Sequence, residues 1–194
     1  MDLAAGVAAA LAAAGEAFGP APAAVPEPRW GALYAELDAG ADESFATDIE
    51  LIYEGYLLHY RESRALAPAA DDLETRLLAG DCFYALGLRG IAARGDADAV
   101  GLLARLMAAC SYLRSSGAPF TADDALWAYT TAGLVALHAG AGVASVAALF
   151  DDVEAGFRAA PPADVPAEVA RAAERLDLPD PAPLLRELEA VAGR

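Results

Sequence analysis

Asp81 stands in the run Leu77-Leu78-Ala79-Gly80-Asp81, where a carboxylate interrupts an apolar helical stretch. On a helical wheel centred on Leu77 and Leu88 it falls among Leu77, Tyr84, Ala85, Leu88 and Ala92. A charge on a dry face must find a partner, shift its pKa or face a cavity. The sequence therefore predicts a buried Asp81, paired with an arginine from a neighbouring helix or with a tyrosine hydroxyl. Arg61, Arg64, Arg76 and Arg89 are the candidate cations. His59 lies one turn from Tyr56 and from Glu62, a spacing that predicts a local hydrogen bond. As a general base it would need a substrate proton within reach, and the sequence identifies none. His138, late in its helix, reads as a core or capping residue. Cys82 and Cys110 fall inside helical stretches without metal-ligand spacing and read as packed core thiols. With no histidine–cysteine cluster, a zinc site is not expected.

Acids recur in groups, and carboxylates one helical turn apart are what a Mg²⁺ ion bridging to phosphate requires. Asp71-Asp72 with Glu74 reads as acids favouring a helix N-terminus. Thr121 followed by Asp123-Asp124 reads as a hydroxyl N-cap with acids in the first turn. Asp151-Asp152 with Glu154 reads as a solvated acidic helix face. Neither a catalytic residue nor a metal site is assigned from these groups.

Composition narrows the function classes. The 194 residues carry a formal net charge of −16, and all 13 basic residues are arginine, lysine being absent with asparagine and glutamine. Nucleic acid and anionic membrane surfaces need a basic footprint that this chain lacks. No run reaches the ~18 consecutive apolar residues of a membrane span. The alanine-rich stretch from Leu3 to Gly15 lacks a basic leading region and carries Asp2, which reads against a signal peptide. A cytoplasmic protein is the expectation.

The elements that must position these groups are all helices. Asp2 is a candidate cap for a helix to about Phe18, and Pro20 to Pro28 reads as a linker. A short helix follows from Arg29 to Ala39. Ile49, Ile52, Tyr53, Tyr56, Leu57 and Tyr60 keep strict helical spacing, and Leu51 and Leu58 widen the apolar face, which predicts a central helix. After a loop through Pro68, a helix runs from Asp71-Asp72 to about Arg94, with Gly95 as the residue that stops it. Further helices are expected at 97–113, 121–140, 143–159, 166–176 and 181–191, with Pro161-Pro162 as punctuation. The alternation of strands is missing. The expected architecture is a single all-α domain, with an N-terminal helix and Pro/Ala linker over 1–28, a core bundle over 29–160 and a helical tail over 161–194.

Three segments carry a family resemblance. Leu77 to Ala85 resembles the helix of trans-type polyprenyl diphosphate synthases that reads leucine-alanine-glycine-aspartate, then aromatic and small residues. Ile49-Glu50-Leu51-Ile52 to His59 is similar to their preceding helix, and Thr121-Ala122-Asp123-Asp124 to Ala139 to the helix that continues into a lysine-threonine-alanine motif. The order is the family's, and the segments cover about 48–140. The resemblance implies a shortened isoprenoid-synthase fold. The departures concern chemistry. Tyr60-Arg61-Glu62-Ser63 stands where the family carries its first aspartate-rich motif, and Tyr129-Thr130-Thr131-Ala132 has no lysine. Asp151-Asp152 lies closer to Thr131 than the family's second motif would.

What the resemblance implies is a non-catalytic or weakly catalytic accessory subunit, a pseudoenzyme paired with a catalytic polyprenyl diphosphate synthase or with itself. No cofactor is expected. Small residues such as Gly55, Gly80, Ala85 and Gly87 would leave room for an isoprenoid chain, with Tyr53, Tyr56, Phe83 and Tyr84 lining it, and Asp81 and His59 as signature residues. Two alternatives stand beside it. One is a stand-alone helical binding module for an apolar ligand or protein; the other is an atypical prenyltransferase holding Mg²⁺ on Glu50, Glu54 or the late acidic cluster.

Overall fold

A computed structural model describes residues 3–19, 27–38, 40–66, 72–159 and 164–192. Asp2, the linker over 20–26, the loop at Pro68 with Asp71, and Pro161-Pro162 lie outside the described residues. Among the described residues every regular element is a helix, so the fold is all-α, as the missing alternation predicts. No helix there is long and apolar enough to cross a membrane.

The chain divides into two compact units, Met1–Ala35 with Gly40–Asp96, and Glu36–Ala39 with Ala97–Arg194. The first is built around α3 (Glu43–Tyr60), with α1 (Leu3–Gly15), the start of α2 (Trp30–Leu37) and α4 (Leu73–Ala93) against it. Asp42 caps α3 by accepting from the Ser44 amide, which holds its carboxyl below the usual carboxylate range. The expected apolar face is buried at Ile49, Ile52, Tyr53, Tyr56 and Leu57, and also at Leu51 and Leu58. Val7 and Leu11 of α1 pack with Leu51, Leu58, Leu66 and Phe83 into one apolar cluster.

The α3–α4 contact is set by glycines. A Cβ on Gly55 would lie 2.8 Å from the Tyr84 ring and 2.9 Å from the Gly80 carbonyl; one on Gly87 would lie 2.6 Å from the Asp48 carbonyl. These positions bring two backbones together and are filled by Tyr84, His59 and Ile52, so they leave no room for a chain. This corrects the expectation of space at Gly55, Gly80 and Gly87.

The same packing corrects the phase assigned to α4. Its buried stripe is Ala79, Gly80, Phe83, Gly87 and Ile91, while Leu77, Asp81, Ala85 and Ala92 face solvent. The Asp81 side chain is 73% exposed. Local signals on this helix hold: Asp72 accepts from the Thr75 amide as N-cap, and Gly95 follows the end with φ +80°. Cys82 is only half-buried, whereas Cys110 is buried as expected.

The second unit comprises α5 (Ala97–Ser115), α6 (Phe120–His138), α7 (Val143–Ala159), α8 (Val165–Arg175) and α9 (Ala182–Ala192), with α6 in contact with the other four. α6 is buried continuously from Ala122 to Ala136. It starts on Pro119 without a side-chain cap, and Thr121 is an exposed residue of its first turn. The expected Thr121 cap is thus replaced by a proline, whose fixed φ suits a helix entry. Asp123 stands in the first turn as expected, and both it and Asp124 are buried.

Candidate functional site

The signature residues fall into three settings. His59, at the end of α3, stacks on Tyr84 of α4 with ring centroids 5.2 Å apart and planes 15° apart. Its Nε2 sits 3.2 Å from Asp81 Oδ1, an ion-pair distance without hydrogen-bond alignment. Asp81 therefore takes a histidine as its near neighbour instead of an arginine or a phenol, and His59 faces Asp81 instead of Glu62. This is a rim contact on the solvent side, because Asp81 lies largely in water. Tyr53 and Tyr56 stack at 5.9 Å inside the first unit. Phe83 is apart from them, in the apolar cluster under α1.

The four candidate arginines are committed elsewhere or not drawn to Asp81. Arg61 donates Nε to the Tyr56 hydroxyl at 3.1 Å. Arg76 donates to the carbonyls of Leu58 and Arg61, closing the C-terminal end of α3, where carbonyls lack helical partners. Arg64 turns inward.

Arg64 organises the strongest electrostatic feature of the first unit. Its Nη1 donates to Glu50 Oε2 at 2.8 Å and its Nε to Glu54 Oε2 at 2.9 Å, and both carboxylates are fully buried. The second oxygen of Glu50 accepts from the amides of Arg29 and Gly31, each at 2.6 Å. That of Glu54 accepts from Ser63 Oγ at 2.6 Å and from the amides of Arg64 and Ala65. Burial works against the Arg64 charge, but Glu50 and Glu54 outweigh it and hold the guanidinium above its ordinary pKa. Tyr53 lies between the two acids in sequence. Its hydroxyl accepts from Arg29 Nη1 at 2.7 Å, and its ring carries the Arg64 guanidinium 4.7 Å from the centroid. Glu50, Tyr53 and Glu54 keep i, i+3, i+4 spacing on the apolar face, a visible signal of buried acids; the cation that pairs with both, Arg64, comes from beyond the helix end.

The remaining acids are engaged in similar ways. Arg105 binds Asp151 at 2.7 Å and Glu154 at 2.9 Å, and Arg175 binds Asp152 at 2.8 Å, so the 151–154 face is an arginine-paired surface. Asp123 Oδ2 lies 2.9 Å from Arg114 Nε, while Arg114 Nη2 donates to the carbonyls of Ala118 and Pro119 and stacks on Phe120. Arg114 thereby ties the end of α5 to the start of α6. Thr130 and Thr131 donate to the carbonyls of Leu126 and Trp127, within their own helix. Among the described residues no three histidine, cysteine or acidic side chains converge as a metal-binding group.

The second unit also holds a cleft that no sequence pattern marks. Between α6, α7 and α8 lies a space of about 310 Å³ with Tyr129, Gly156, Phe157, Arg171 and Arg175 on its walls. Compared with protein-family models, with curated proteins and with solved structures, the chain finds no match.

Proposed function

We propose that this chain is a polyprenyl-synthase-like accessory subunit of the cytoplasm that carries no prenyl-transfer chemistry and acts by binding a catalytic synthase subunit. The observation that carries the reading is the state of its carboxylates. Glu50 and Glu54, the acids an atypical prenyltransferase would use for Mg²⁺, stand on the helix that resembles the one preceding the family's first aspartate-rich motif, and their oxygens are taken by Arg64, Ser63 and backbone amides. A Mg²⁺ ion there would have to displace a buried guanidinium and leave donors unmet, at a cost of several kcal/mol. The 151–154 acids are likewise held by arginines.

An apolar surface supports a protein partner. Leu73, Leu77 and Leu78 begin α4 and are 60%, 41% and 63% exposed. Leu73 and Leu77 are one turn apart on one face, beside the exposed Ala85 two turns on. Large apolar groups clustered at one helix end mark an interaction surface more often than scattered ones do.

The test is affinity capture of the full chain from its native cell, read by mass spectrometry, with Leu77→Glu/Leu78→Glu as the matched variant. Recovery of a polyprenyl diphosphate synthase with both aspartate-rich motifs intact, lost with the variant, supports the reading. Recovery of the chain without a synthase overturns it. Magnesium-dependent binding of an allylic diphosphate by the isolated chain would overturn it in favour of the atypical prenyltransferase.

A further inference from the structure

The cleft of the second unit has a composition that the accessory-subunit reading does not use. One part of its wall is apolar: Leu149 and Val153 of α7 line it, and Tyr129 meets Phe157 edge-on with centroids 6.2 Å apart. Gly156, an exposed residue in the last turn of α7, sits on its wall, and a Cβ built there would meet nothing within 4 Å. A volume of about 310 Å³ is at the small end of the range for small-molecule sites.

The polar groups converge on one edge of that space. Arg171 and Arg175 are one turn apart on α8, so they share a face. Arg175 is paired with Asp152 at 2.8 Å and Arg171 with Glu168, and all four side chains are substantially exposed. Exposed ion pairs of this kind are weak and exchange readily with a competing anion. The Tyr129 phenol, within electrostatic reach of Glu168 and Arg171, is pushed up in pKa, first by burial and then by Glu168. It stays protonated at neutral pH and is a hydrogen-bond donor.

We propose that this cleft binds a small amphiphile with an apolar body and one anionic head, the body lying over Gly156 against Tyr129 and Phe157 and the head between Arg171 and Arg175. The two guanidinium groups are donors only and the phenol O–H can donate as well, which suits an oxyanion that takes the place of the Asp152 and Glu168 carboxylates lining the same edge. Asp152 and Glu168 then turn to solvent, which they already face. The site lies wholly within the second unit and does not depend on the partner proposed above.

The probe is octanoate, titrated calorimetrically into the full chain beside octanol and octylammonium, which share its tail. Octanoate should saturate at one site and bind at least tenfold more tightly than either. Arg171→Gln/Arg175→Gln should bring octanoate down to the level of octanol and leave octanol unchanged. Gly156→Leu should fill the space and abolish binding with the helical circular dichroism intact. No saturable octanoate binding at millimolar concentration, binding that survives Gly156→Leu, or tighter binding of octylammonium would each overturn the proposal.

Discussion

Arg64 Nε lies 2.9 Å from Glu54 Oε2 in the interior of the first unit, and the same guanidinium reaches Glu50 with its Nη1. One cation thus pairs with two fully buried carboxylates, and the charge it leaves over is met by backbone amides and the Ser63 hydroxyl. Replacing it by an apolar residue of similar length strands both acids. Arg64→Met is expected to cost about 3–5 kcal/mol in urea unfolding, the range for breaking a buried pair from one side. A loss below about 1 kcal/mol, the value of an exposed pair, would show that water reaches these acids.

Close packing of α3 on α4 gives a second test. Gly55→Ala places a methyl group 2.8 Å from the Tyr84 ring and 2.9 Å from the Gly80 carbonyl. The carbonyl is backbone and cannot swing aside, so the expected loss is about 1–3 kcal/mol. Gly101→Ala, in α5 with open space over it, is expected to gain about 0.5–1 kcal/mol from helix propensity alone. Thermal unfolding of the two variants should move in opposite directions.

Asp48 should make stability depend on pH in the direction opposite to an ordinary paired acid. Burial raises its pKa above 3.8, and Arg94 offsets this only in part. The folded state thus takes up a proton at higher pH than the unfolded chain does. Stability contributed by this group rises as pH falls from the raised value towards 3.8, and is lost again on returning to neutrality. Asp48→Asn removes that titration, so the wild-type chain should gain on the variant as pH is lowered through this window. Urea midpoints of both chains at successive pH values measure the difference, and a difference flat with pH would refute the assignment.

The Asp42 cap runs the other way. The Ser44 amide lowers its carboxyl, so the stability it supplies is present above 3.8 and lost as pH falls through the lowered value. Asp42→Ala is expected to cost about 0.5–2 kcal/mol at neutral pH, and Asp42→Asn less, since the amide oxygen still accepts. Equal losses for the two variants would mean that charge, not the cap hydrogen bond, holds the turn.

Much of the fold was legible because its signals are local. The buried face of α3 follows from the spacing of Ile49, Ile52, Tyr53, Tyr56 and Leu57 alone, since a helix of fixed pitch aligns them whatever lies opposite. Asp72 and Gly95 mark the ends of α4 because capping is satisfied within a few residues. The phase of α4 is not fixed by such local signals. This helix is apolar on more than one side, so its periodicity allows two buried faces, and Leu77 with Leu88 defines one as well as Phe83 with Ile91 defines the other.

The choice was made by approach distance. Gly80 and Gly87 let α4 come close to α3, and that contact turned Asp81 outward to His59. The candidate site divides the same way. That Glu50 and Glu54 would be buried is written in their spacing with Tyr53; that Arg64 would answer them depends on how the chain folds back after α3. The cleft had no sequence signal, because Tyr129, Gly156 and Arg171 come from three helices. The sequence by itself determined the helices and the burial of α3, which depend on near neighbours. Tertiary structure alone decided which face of α4 is dry and which charges meet, because both depend on groups far apart along the chain.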